Sequence, residues 1–134
     1  MAKIWKIPFT LDDLNSRAGD TLIGHLGIQY TEIGDDYLVA TMPVDHRTIQ
    51  PVGILHGGAS VVLAETLGSL AAALALNAPV VGIEVNANHL KSVSEGHVTG
   101  KVIPIRMGRK IQVWEIRISN EKGCLLYTSP SPRD

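Results

Sequence analysis

The stretch PVGILHGGASVVLAETLGSLAAALAL, residues 51–76, limits what this chain can fold into more than any other part of it. Pro51, Gly53, Gly57 and Gly58 punctuate its start and allow tight turns and close backbone approach. Small and aliphatic residues without a proline follow, which predicts a helix from about residue 59 to 76. A helix that is apolar nearly all round belongs in a core. It does not read as a membrane span, because Glu65, Thr66, Gly68 and Ser69 interrupt it before about twenty apolar residues accumulate. The rest of the chain has to cover one thin, alanine-rich helix.

The flanking segments are strand-like. Thr10 followed by Leu11, Asp12 and Asp13 predicts a short N-capped helix ending by Gly19, and Leu22, Ile23 and Leu26 predict a further apolar turn. Residues 28–33 and 37–44, joined by Gly34, Asp35 and Asp36, read as a hairpin. A polar loop over 45–51 leads into the helix, and Asn77-Ala78-Pro79 stops it. Residues 80–93 predict one long strand with Glu84, Asn86 and Asn88 as its polar row. Residues 96–107 predict a second, with Pro104 at a bulge or edge, and 109–119 a third that alternates cleanly. One helix among antiparallel strands gives an α+β fold, a curved antiparallel sheet wrapped around one central helix. After a turn at 120–123 another strand is due, yet residues 124–134 read CLLYTSPSPRD, whose prolines predict that the ladder stops. The expectation is one domain over 1–123 and a truncated or foreign tail over 124–134.

Composition removes several classes of function. Lys and Arg number 12 against 13 Asp and Glu, a balance without a nucleic-acid or membrane-surface signature. Cys124 is the single cysteine, which excludes an internal disulfide and a cysteine-rich metal site. The five histidines form no i,i+4 pair, so no metal is expected. The opening MAKIWKIPFT is too polar for a signal peptide, and a soluble cytoplasmic protein is expected.

Glu65 is the one charge inside the apolar helix. Removing a carboxylate from water costs several kcal/mol unless it is paired, so it either lies on an open stripe, pairs with a cation, or faces a cleft as a catalytic group. Ser69, four residues on, shares its face and could hold a water or orient it. The helix N-terminus follows His56 directly, and its unpaired N–H groups could polarise a carbonyl oxygen.

The segment LHGGASVVLAETLGS closely resembles the central-helix motif of the hot-dog-fold acyl-CoA thioesterases. The likeness runs through IGDDYLVATMPVDHRTIQPVGILHGG, VVGIEVNANHLKS and VWEIRISNEKG, to about Gly123. The subfamily it looks like contains the 1,4-dihydroxy-2-naphthoyl-CoA thioesterases of menaquinone biosynthesis and the proofreading thioesterases of enterobactin synthesis. The resemblance implies that Glu65 is the general base or the nucleophile and that the Gly57 N–H polarises the thioester carbonyl. Gln50 and His56 would orient the thioester, with Ser69 positioning Glu65 or water. For CoA it points to Gly82, to His89, Leu90, Lys91 and Ser92, and to Arg106, Met107, Gly108, Arg109, Lys110 and Ile111. Lys91, Arg106, Arg109 and Lys110 are cations at predicted strand ends, suited to phosphates. No cofactor is expected. The resemblance also implies dimers joined sheet edge to sheet edge, commonly paired into tetramers, with Gln50 and His56 of one subunit facing Glu65 of the partner subunit. Three alternatives stand beside an aromatic acyl-CoA thioesterase: a hot-dog acyl-thioester hydratase or dehydratase, a thioesterase for aryl groups on a carrier protein, and a non-catalytic acyl-CoA-binding protein.

Overall fold

The computed structural model describes residues 3–133. Helix α1 (Leu11–Ser16) starts in a capping box, in which Thr10 accepts from the Asp13 N–H and the Asp13 carboxylate accepts from the Thr10 N–H. The same helix is stitched to the sheet by Asn15. Its amide donates to the Tyr30 carbonyl at 3.0 Å and accepts from the Tyr30 N–H at 2.8 Å, imitating one more step of a ladder. After α2 (Leu22–His25), strands β1 (Gln29–Ile33) and β2 (Leu38–Pro43) form the expected hairpin. Helix α3 (Gly57–Leu76) follows, then β3 (Asn88–His89), β4 (His97–Met107), β5 (Gln112–Ser119) and β6 (Leu125–Arg133). Together they make one antiparallel sheet in the order β1-β2-β4-β5-β6-β3. The bulge expected at Pro104 is present, as a register shift between Pro104 and Arg106.

The sheet holds α3 against its inner face. Leu63, Leu67 and Leu74 are buried there beside Val98, Val102, Trp114, Ile116 and Ile118, each large side chain stabilising the fold by roughly 1.5–3 kcal/mol. Gly100 lets the helix sit close, since a Cβ at that position would stand 2.8 Å from Leu67 Cδ1. In length and hydropathy α3 could cross a membrane, but more than half of that stretch, 56%, is buried inside the fold. The remaining stripe, Val62, Glu65, Thr66, Ser69, Ala73 and Leu76, is half-buried. Asn77 ends the helix in the left-handed region at φ 53°, a conformation asparagine tolerates.

Two expectations are corrected. The ladder does not stop at the tail: β6 pairs with β5 from Leu125 to Arg133, with Pro130 opposite Glu115 and Pro132 opposite Val113. The reason lies in the parity of a strand. The Leu90 N–H donates to the Leu126 carbonyl at 2.8 Å, so the polar backbone groups of residues 126 and 128 face β3. Residues 130 and 132 face the same way, and their missing N–H groups cost nothing on the β5 side. Asp134 lies outside the described residues. The second correction follows from the first. Residues 80–93 are not one long strand; among the described residues only Asn88 and His89 pair with β6, and the rest belongs to no ladder apart from a bridge at Gly82. Beyond Thr128 the prolines offer no donors to that side, so pairing along this edge is cut short.

Candidate active site

Between β2 and α3 the chain doubles back as a miniature hairpin. Ile49 pairs with Leu55, the Gln50 N–H donates to the Ile54 carbonyl at 2.9 Å, and the Gly53 N–H donates to the Gln50 carbonyl at 2.8 Å. At its base the His56 N–H donates to the Thr48 carbonyl at 2.8 Å, and beside it the Leu55 N–H reaches the Val93 carbonyl at 2.8 Å. Gln50 is thereby delivered beside the start of α3. Its Oε1 accepts from the Val52 N–H, which leaves the side-chain NH2 as the end offered to a ligand. Asp45, earlier in the loop, is gripped by Arg47 at 2.7 Å, and this guanidinium pushes its carboxyl down to about 2.

The helix terminus has one donor to spare. His56 caps it, its Nδ1 accepting from the Gly58 N–H at 2.8 Å, so in the neutral ring the proton sits on Nε2. The Ala59 and Ser60 N–H groups go to the His56 carbonyl at 3.0 and 3.3 Å. The Gly57 N–H has no acceptor among the described residues. It opens on a cleft of about 370 Å³, lined by Gln50, Ser60, His89, Lys91, Ser92 and Leu126 among others. An orphan donor at the positive end of a twenty-residue helix is suited to an oxygen that gains negative charge. His89 forms the opposite wall. Register places it across from Tyr127, with their rings edge to face at 5.3 Å, and its imidazole lies over Gly57. A Cβ on Gly57 would come within 3.1 Å of His89 Cε1, so a larger residue here would push the ring by a few tenths of an ångström.

The predicted residues fall into separate groups. Gln50, Gly57, His89, Leu90, Lys91 and Ser92 line the cleft, and His56 caps the helix beside it. Ser69 instead lines an apolar groove of about 380 Å³ with Tyr30, Thr66, Leu70 and Val80. Glu65 is half-buried on the same stripe as Ser69. It lies eight residues beyond Gly57, roughly 12 Å along the helix axis, too far for one water to join them. Arg106, Met107, Arg109, Lys110 and Ile111 are exposed around the β4–β5 turn, which the Gly108 N–H closes on the Ile111 carbonyl at 3.1 Å. That turn adjoins Gln112, whereas the cleft adjoins Ile118 through Tyr127, about 20 Å away along β5. Gly82 is exposed in the segment 80–93. Among the described residues no cluster of three potential metal ligands exists.

Sequence reasoning missed Ser60, 5% exposed in the cleft, although its position three residues after Gly57 puts both on one helix face. It also missed Tyr127 behind His89, which only the pairing of β3 with β6 reveals.

A helix terminus with an unpaired N–H, open on a cleft beside a carboxamide, is an arrangement suited to a ligand that carries a carbonyl oxygen. The profile of the Thioesterase superfamily matches residues 52–126, and the chain belongs to that family. It is a thioester hydrolase with the hot-dog fold. It is 52% identical over 128 residues to the 1,4-dihydroxy-2-naphthoyl-CoA hydrolase of Escherichia coli, covering 94% of this chain and 94% of that protein. It is 53% identical to the proofreading thioesterase EntH of Cronobacter turicensis, over 94% and 93% of the two chains. The crystal structure of a Haemophilus influenzae thioesterase superposes with a TM-score of 0.94 at 50% identity, covering 97% of this chain and 92% of the other.

Proposed function

We propose that this protein hydrolyses an aromatic acyl-CoA, of the 1,4-dihydroxy-2-naphthoyl type, to the free acid and CoA in the cytoplasm. The unpaired Gly57 N–H, open to a cleft beside Gln50, carries the reading. The thioester carbonyl accepts from Gly57, and the Gln50 NH2 holds the acyl group in line. As the carbonyl carbon becomes tetrahedral, the negative charge on its oxygen gains more from this donor than the ground state does. Glu65 either takes a proton from the attacking water or attacks the carbon itself, with water then releasing the acid. The C–S bond breaks, and the departing CoA thiolate takes up the proton held by Glu65 in the first route, or the one released by the hydrolytic water in the second. His89, Leu90, Lys91 and Ser92 guide the leaving arm. The cations of the β4–β5 turn, Arg106, Arg109 and Lys110, meet its phosphates.

The roughly 12 Å between Gly57 and Glu65 supports a site composed by two chains, so that Glu65 and Ser69 of the partner subunit complete the cleft. The separation of the β4–β5 turn from the same cleft, and the segment 80–93 with little pairing of its own, favour the same dimer. The aromatic substrate rests on the two relatives, one named for a naphthoyl-CoA and one for proofreading.

The deciding experiment is thiol release from a panel of benzoyl-, 1,4-dihydroxy-2-naphthoyl-, acetyl- and palmitoyl-CoA. Turnover is expected to be fastest with the aryl thioesters, and a preference for palmitoyl-CoA would refute the aromatic assignment. Glu65→Gln keeps the side chain's shape and removes its base, so kcat should fall at least about 10²-fold with the circular dichroism spectrum unchanged. Near-normal turnover by that variant would refute the role of Glu65.

A further inference from the structure

We infer that Thr48, which lies outside the cleft, is the positioning residue that sets Gln50 against the helix terminus; this rests on the role given to Gln50 above. Thr48 is polar yet only 2% exposed. Its hydroxyl donates to the Pro43 carbonyl at 2.8 Å, the last residue of β2, and accepts from the Asp45 N–H at 3.1 Å. Its backbone N–H donates to the Asp45 carbonyl at 2.9 Å, and its own carbonyl accepts from the His56 N–H at 2.8 Å. One residue therefore bolts the rigid end of the sheet to both ends of the loop. Gln50 hangs two positions beyond it, its partner His56 is the helix cap, and Gly57 follows directly.

The alternative anchors are weaker. The Asp45–Arg47 pair is at the surface, each side chain 33% exposed, where ion pairs hold little. The mini-hairpin itself has one bridge, Ile49 to Leu55, too little to fix its own orientation. The buried hydroxyl is satisfied on both its donor and acceptor sides, which is the arrangement that rigidifies a loop. Without it the loop can tilt about its base. A displacement near 1 Å at Gln50 is enough to lower turnover by one to two orders of magnitude, roughly, because the donor no longer meets the bound thioester.

The test is a kinetic cycle on the aryl-CoA that the wild type turns over fastest, with the variants Thr48→Val, Thr48→Ser, Gln50→Ala and Thr48→Val/Gln50→Ala. Thr48→Val, which keeps shape and loses the hydroxyl, should lower kcat about 10-fold or more with KM changed less than about threefold. Thr48→Ser should restore kcat to within about threefold of wild type. In the Gln50→Ala background, adding Thr48→Val should cost almost nothing further, because the two act as one unit. A merely structural Thr48 would give losses that multiply instead, and that result overturns the inference. So does a Thr48→Val enzyme with wild-type kcat. If Gln50→Ala itself turns over normally, the role of Gln50 fails and takes this inference with it, whereas an impaired Gln50→Ala beside a normal Thr48→Val sinks the inference alone. Should the valine chain not fold, Thr48→Ala, which leaves room for a water in place of the hydroxyl, reads the same coupling.

Discussion

Asp45 sits in the loop that leads to Gln50, and its carboxylate accepts from the backbone N–H, Nε and Nη2 of Arg47. Arg47 lowers its pKa from 3.8 to about 2, so the ionised form is favoured by the folded loop. A depressed folded pKa gives a contribution that is present above the unfolded value and lost as pH falls through the folded one. The melting temperature of Asp45→Asn should therefore lie below that of wild type at pH 6, and the gap should close between pH 3.8 and about 2. A gap that persists unchanged at pH 2 would mean the pair has no such linkage. Residues of this kind divide by how visible they are in a sequence. Glu65 announces itself, because a charge amid alanines and leucines needs a reason. Thr48 and Ser60 do not, since a buried hydroxyl looks like any polar loop or helix residue until its partners are placed.

Helix α3 shows what an element can disclose. Its burial was legible from its run of small and aliphatic residues and its stop from Asn77-Ala78-Pro79, while its start moved by two residues because His56 supplies the cap. Gly57 is the point where the element becomes a site. Gly57→Ala should leave the melting temperature equal or slightly higher, since alanine reduces the freedom of the unfolded chain. The added methyl meets the His89 ring at 3.1 Å, so the ring must shift and the cleft must change. Turnover is then expected to fall at least about tenfold, and full activity would show that the contact between His89 and Gly57 has no bearing on the reaction. Strands β3 and β6 were the least legible elements. The prolines of β6 were read as breakers, but alternate spacing points both away from β5, and which edge they face depends on a neighbour forty residues back in the chain. The shortness of β3 has the same origin, because its own apolar alternation promised far more pairing than β6 can accept.

For the molecule as a whole, the fold class was legible because one buried helix admits few covers. The spacing of about 12 Å between Gly57 and Glu65 follows from eight helical steps, whereas nothing in a linear pattern says that His89 and Ser60 meet Gly57 in one cleft. Complementation tests the composite site. Glu65→Ala and Gln50→Ala chains, each strongly impaired alone, should recover about 25% of sites after mixed reassociation, because a two-fold dimer then holds one intact and one doubly damaged centre. Mixed dimers verified by native mass spectrometry that remain dead would place each site within a single chain. The two-residue span of β3 has a further effect, on the order of assembly. Strands β4, β5 and β6 are consecutive hairpins, which close early, whereas Asn88 and His89 must return to β6 across about forty residues for two register pairs. The wall carrying His89 is therefore the last part of the sheet to zip up and the first to fray. A chain can have its core fully formed and still lack a cleft, so the appearance of activity is expected to lag behind the burial of Trp114 during refolding.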